Sequence, residues 1–111
     1  MNKKFLIIAN NLIKYSEDNS QLAFVHKTKV HAIIVFFIFG SKKITFEQLC
    51  RKLVNTASRS TVQSILNEGV DNGYFSKYLD KIDKRKKYYE CQKLSNTLEK
   101  WLNENKTIFS N

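Results

Sequence analysis

Residues 45–92 constrain the fold of this 111-residue chain more strongly than any other segment. Patterning there predicts a helix, a turn, a second helix and two strands around a charged tip, over residues 45–54, 55–57, 58–72 and 75–92. Thr45 and Gln48 have the spacing of a capping box, and Ser58 is a typical N-cap residue for the second helix. Gly73 closes that helix, because glycine adopts the left-handed conformation at little cost. This order of elements predicts a winged helix-turn-helix.

The second helix of this stretch has two chemically different faces. Its inner face repeats at helical spacing and comprises Val62, Ile65, Leu66, Gly69 and Val70. The side chains that we expect to contact DNA are polar and lie outside that face: Ser58, Arg59, Ser60, Thr61, Gln63, Ser64 and Asn67. Gln63 and Asn67 can each pair with an adenine edge, and Arg59 with a guanine edge. We therefore predict that the helix lies in a DNA groove, the alternative being a solvated helix face.

A charged hairpin follows the second helix. Alternating side chains predict one strand from Phe75 and a returning strand that ends at Gln92. Five basic residues cluster at and beside the tip between them: Lys81, Lys84, Arg85, Lys86 and Lys87. Lysines in such a cluster are expected to contact phosphates, which makes the affinity depend on salt. The alternative is a solvated hairpin tip.

Three further apolar segments predict helices over residues 1–16, 27–39 and 95–106. Periodicity does not separate helix from strand in the very apolar stretch before Gly40. Polar Thr28 and Lys29 at its start and Gly40-Ser41 at its end favour a helix. The expected fold class is therefore mainly α with a small β-hairpin wing (α+β). A chain of this length supports one domain, residues 1–111, with flanking N- and C-terminal helices.

Both terminal helices carry wide apolar stripes. Each stripe can pack against the rest of its own chain or against a second copy. The candidates for a dimer contact are Phe5, Leu12, Leu98, Trp101 and Leu102.

The net charge is +9, from 19 basic and 10 acidic residues, which favours a polyanion as partner. Cys50 and Cys91 form no CxxC or Cys/His pattern, so we expect no metal site and a reducing, cytoplasmic environment. His26 and His31 are five residues apart and do not share a helix face. Since no catalytic set and no phosphate-binding glycine loop occurs, we expect neither an enzyme nor a cofactor.

Several short sequences stand in a fixed order between residue 30 and about residue 97: Ser60-Thr61-Val62, Leu66, Asn72-Gly73-Tyr74-Phe75, Asp83-Lys84-Arg85, Tyr88 and Leu94-Ser95. With these motifs in this order, the chain resembles the MarR-like winged-helix regulators. The Asp-x-Arg of the wing is the most specific of the motifs. The resemblance implies a homodimer on pseudo-palindromic double-stranded DNA. It also implies that helix 58–72 enters the major groove, that Arg85 enters the minor groove and that Asp83 steadies Arg85.

The sequence thus predicts a sequence-specific, double-stranded DNA-binding transcriptional regulator, cytoplasmic and associated with the nucleoid, without a membrane partner. Two alternatives remain. The same fold can dock a partner protein, for example in replication, and a basic domain can coat nucleic acid without sequence preference.

Overall fold

A computed structural model describes residues 2–17 and 21–106 of the chain. Its elements are α1 (Lys3–Glu17), α2 (Gln21–Val25), α3 (Lys29–Gly40), β1 (Ile44–Thr45), α4 (Phe46–Lys52), α5 (Arg59–Asp71), β2 (Ser76–Leu79), β3 (Lys87–Glu90) and α6 (Ser95–Glu104), with a single 3-10 turn at Gln92–Leu94. β3 pairs antiparallel with both β1 and β2, which gives the order β1-β3-β2. This mainly helical fold with a small sheet confirms the predicted fold class.

Side-chain caps set where the central helices begin. Thr45 Oγ1 accepts from the backbone N–H of Gln48 at 3.1 Å, and Gln48 Oε1 accepts from the Thr45 N–H at 2.9 Å, which is the predicted capping box. Ser58 Oγ accepts from the Thr61 N–H at 3.1 Å and caps α5. Thr28 caps α3 with an extended backbone, so this helix begins at Lys29 and not at residue 27.

The short helix α2 was not predicted. It has five residues, little more than one turn, so no apolar repeat can mark it in the sequence. It nevertheless supplies Phe24 and Val25 to the core. Ile34, Val35 and Ile38 of α3 form the centre of that core, and each of the three is fully buried.

Gly69 joins α5 tightly to the start of the wing, the segment of residues 75–92. Its carbonyl accepts from the N–H groups of both Tyr74 and Phe75, at 2.8 and 3.0 Å. The Phe75 ring lies directly against Gly69, where a Cβ atom would approach Phe75 Cδ2 to 2.1 Å. Gly73 has a φ of +78°, as predicted for the residue that closes the helix. These contacts determine the direction in which the wing leaves the helix.

The helices α1 and α6 are joined through a buried Asn105. Its side chain accepts from Asn11 Nδ2 at 3.0 Å and donates to the Tyr15 hydroxyl at 3.2 Å. The rest of α1 leaves large apolar side chains exposed, namely Phe5, Leu6, Ile7, Leu12 and Ile13. Within residues 2–17 and 21–106, no helix is both long and apolar enough to cross a membrane.

The dimer candidates therefore fall into three groups. Phe5, Leu12 and Leu102 are exposed by 67%, 46% and 53%. Leu98 is only 4% exposed and belongs to the chain's own core, so little of its surface is left for a second copy. Trp101 is partly buried and packs on Phe36, with ring centroids 5.4 Å apart.

Candidate nucleic-acid interface

The outward face of α5 borders a wide and open polar depression, and every residue that lines it belongs to this helix or to its C-cap. Four of the predicted contact residues line it: Ser60, Gln63, Ser64 and Asn67. Gln63 Nε2 donates to Asn67 Oδ1 at 3.0 Å, so the two amides are aligned along the helix. Such a row of amide and hydroxyl groups offers both donors and acceptors to base edges.

The two hydroxyl residues at the start of α5 are used in its cap. Besides accepting from the Thr61 backbone, Ser58 Oγ donates to Thr61 Oγ1 at 3.0 Å. Both side chains are exposed at the helix N-terminus, where backbone N–H groups and the helix dipole favour an anion. Their geometry thus suits a phosphate contact better than base reading.

Arg59 does not extend freely from the helix. Its Nη1 and Nη2 atoms donate to the two carboxylate oxygens of Glu47, at 3.1 and 2.6 Å, and its guanidinium lies 4.9 Å from the centre of the Phe46 ring. The hydrogen bond from Arg59 lowers the pKa of Glu47, and the same bond raises the pKa of Arg59. The edge of the guanidinium that was expected to pair with guanine is therefore occupied by a carboxylate in the free protein.

Backbone hydrogen bonds order the tip of the wing. Asp80 Oδ2 accepts from the N–H groups of Ile82 and Asp83, at 3.2 and 2.8 Å. The hydrogen bond from the Asp83 backbone is the main cause that lowers the pKa of Asp80. The Asp83 carbonyl in turn accepts from the Lys86 N–H at 3.0 Å. The basic side chains are thus presented by a structured turn.

Arg85 is almost fully exposed, with 93% of its side chain accessible. Asp83 Oδ1 accepts from the Arg85 backbone N–H at 3.1 Å and from Arg85 Nε at 3.2 Å. This bond to the side chain uses Nε and not the two Nη groups at the end of the guanidinium. Lys81, Lys84, Lys86 and Lys87 are also exposed.

Helix α5, the second helix of the helix-turn-helix and the predicted recognition helix, borders one cleft of about 400 Å³ together with the wing. This cleft is lined by Gln63 of α5, by the start of α4 and by four residues of the wing: Arg85, Lys86, Lys87 and Tyr88. Arg51 also lines the cleft, although the sequence did not identify it as a contact residue. Tyr88 lies between Tyr78, with ring centroids 5.9 Å apart, and Lys43, whose Nζ is 5.0 Å from the Tyr88 ring centre.

A polar cluster holds the middle of α5 against the start of α3. Glu68 Oε1 is 2.8 Å from Nε2 of the buried His31, and Glu68 Oε2 is 2.7 Å from Lys27 Nζ. Thr28 Oγ1 contacts the other ring nitrogen of His31 at 2.6 Å. Burial raises the pKa of Glu68, but the hydrogen bonds from Lys27 and His31 outweigh it and lower that pKa. The cluster fixes the position of the recognition helix on the core.

Burial disfavours the charged forms of Cys50, Cys91 and His26. Cys50 and Cys91 are buried free thiols, and burial raises the pKa of Cys91 to about 12. Burial also lowers the pKa of His26, whose ring stacks on Tyr15. Across the described part of the chain, no group of three or more His, Cys, Asp or Glu residues is arranged to hold a metal ion.

No protein-family model and no curated protein matches the chain. Solved structures do share its fold. The adhesin competence repressor AdcR from Streptococcus pyogenes superposes with a TM-score of 0.54 at 20% identity, covering 97% of this chain and 83% of AdcR. Apo (heme-free) PefR superposes with the same TM-score of 0.54 at 22% identity, covering 97% of this chain and 98% of PefR. The likeness confirms the winged helix-turn-helix fold.

Proposed function

We propose that this protein is a sequence-specific, double-stranded DNA-binding regulator of transcription that acts in the cytoplasm. The observation that carries the proposal is the shared cleft, because Gln63 of the recognition helix and Arg85 of the wing border it together. One duplex can therefore meet both elements at the same time. The positive net charge of +9 and the fold shared with a protein described as a repressor support the same conclusion.

The proposed contacts divide by chemistry. In the major groove, Ser60, Gln63, Ser64 and Asn67 read base edges. Ser58, Thr61 and the wing lysines contact phosphates. Arg85, held at Nε by Asp83, enters the minor groove, where a narrow A·T-rich segment attracts an arginine through its shape and potential.

We propose further that the protein binds DNA as a homodimer. The exposed apolar side chains of α1, with Leu102 of α6, form the surface that a second copy would cover. Burying a fully exposed side chain of this size contributes roughly 1.5–3 kcal/mol. Association itself costs an estimated ~4–15 kcal/mol, so a stable dimer would have to cover most of these half-exposed side chains together. Two recognition helices would then occupy half-sites about one helical turn, ~34 Å, apart.

Selection of binding sites from random duplexes tests the proposal. The selected duplex and a random duplex are then titrated over a series of salt concentrations. We expect the selected duplex to bind on the order of 10³-fold more tightly or better. Equal affinity for the two would indicate non-specific coating, and negligible binding to both would indicate a winged helix that docks a protein.

A further inference from the structure

The Arg59–Glu47 pair joins the first residue of the recognition helix to the helix before it. The pair is end-on and bidentate, since Nη1 and Nη2 of Arg59 each donate to a different oxygen of Glu47. The Phe46 ring supports the guanidinium from one side. Three contacts therefore fix a side chain that would otherwise sample many rotamers.

Contacts other than this pair also hold α5 in the fold. The side chains of Arg59 and Glu47 are 62% and 59% exposed, and ion pairs this exposed contribute little to stability. Ser58 caps α5 independently, and Val62 and Leu66 anchor that helix in the core. The pair is therefore better explained by what it does at the surface.

Glu47 also stands where a negative charge opposes DNA binding. Its side chain lines the cleft between the recognition helix and the wing, together with Gln63 and Arg85. The hydrogen bond from Arg59 lowers the pKa of Glu47, so the carboxylate stays charged at neutral pH. In that position it repels every phosphate backbone equally and cancels the charge of Arg59.

We propose that Glu47 is a specificity-determining residue, because it occupies the end-on edge of Arg59 and prevents this arginine from clamping any phosphate or guanine that it meets. The inference rests on the proposed function as a DNA-binding regulator. Binding then depends on the amide and hydroxyl row of α5 and on the wing, which distinguish sequences. Removing the carboxylate frees one cation at the interface and raises affinity for all duplexes. The relative gain is larger on random DNA, because a random duplex can shift until a phosphate meets Arg59, whereas the base contacts of α5 hold a selected duplex in one register.

The test compares Glu47→Gln with Arg59→Ala and with the double variant, using the full chain. Glu99→Gln is the matched control, because Glu99 is an exposed glutamate on α6 and its replacement changes the net charge equally. Each protein is titrated with a selected and a random duplex from about 50 to 200 mM salt. Circular dichroism confirms that each variant is folded.

We expect Glu47→Gln to bind random DNA more tightly and to discriminate less between the two duplexes. One additional phosphate contact steepens the salt dependence, so the loss of affinity between 50 and 200 mM salt should grow by roughly threefold. In the Arg59→Ala background, Glu47→Gln relieves only the repulsion between its own charge and the phosphates, so its gain in affinity should be clearly smaller than in the wild-type background.

Three results would overturn the inference. Unchanged discrimination in Glu47→Gln would show that the pair does not govern specificity. Selective loss of the selected duplex would show that Glu47 itself reads a base. An equal effect of Glu47→Gln with and without Arg59 would show that only its charge matters. If the wild-type protein binds neither duplex, both the inference and the proposed function fail. In the other three results the wild-type protein still binds DNA, so only the inference fails.

Discussion

Replacing Gly69 by alanine tests whether the recognition helix and the wing are held in one fixed relation. A Cβ atom at position 69 would lie 2.1, 2.4 and 2.8 Å from three atoms of the Phe75 ring. Phe75 is only 2% exposed, so its ring has no open space into which to turn. The ring must therefore shift, and β2, which begins at the next residue, must shift with it.

The expected size of this effect follows from two opposing terms. Overpacking of a filled core costs typically 1–3 kcal/mol, and overlap with three ring atoms places this case near ~3 kcal/mol. Alanine is more favourable than glycine inside a helix by about 1 kcal/mol. The net loss of unfolding free energy is then about 2 kcal/mol, which lowers the Tm by roughly 10 °C for a domain of this size.

The measurements are thermal unfolding and titration with the selected duplex, the latter well below the Tm of the variant. Gly40→Ala is the control, because Gly40 ends α3 and an added Cβ there has nothing within 4 Å. We expect Gly40→Ala to keep wild-type stability or gain slightly, and to keep wild-type affinity. Gly69→Ala should lose affinity even where it is fully folded. In a Phe75→Leu background, Gly69→Ala should cost less, since the ring that it meets is gone. Equal stability and affinity of Gly69→Ala and Gly40→Ala would refute the reasoning.

Three further predictions concern the wing, the dimer and pH. Arg85→Ala should leave the Tm unchanged but weaken DNA binding and reduce the slope of log affinity against log salt by about 1, and an unchanged slope would reject the wing contact. Phe5→Glu should shift the solution mass, measured by light scattering at micromolar concentration, towards a monomer, and a wild-type protein that is already monomeric would contradict the dimer. Because the folded-state pKa of Glu68 is lowered from 4.5, its contribution to stability is present above that pH and is lost as the pH falls below it. The difference in unfolding free energy between wild type and Glu68→Gln should therefore shrink as the pH falls below 4.5, and a constant difference would exclude the linkage.

Features that depend on a few neighbouring residues were predictable from the sequence. The capping box of Thr45 and Gln48, the cap at Ser58 and the closing glycine Gly73 all occur as expected. The inner face of the recognition helix was also predictable, and its Val62 and Leu66 are fully buried. Each of these features is set by hydrogen bonds or side-chain spacing within one or two turns of the chain, so the local sequence contains the information.

Only the tertiary structure decided which side chains meet across elements. Arg59 is paired with Glu47 twelve residues earlier, and Glu68 with His31 across thirty-seven residues, and no local pattern marks either pair. Leu98 shares an apolar stripe with Leu102, yet one is core and the other exposed. Periodicity indicates that a helix face is apolar, but the packing of distant elements determines what covers that face. The reason is that burial and pairing depend on three-dimensional proximity and not on separation along the chain.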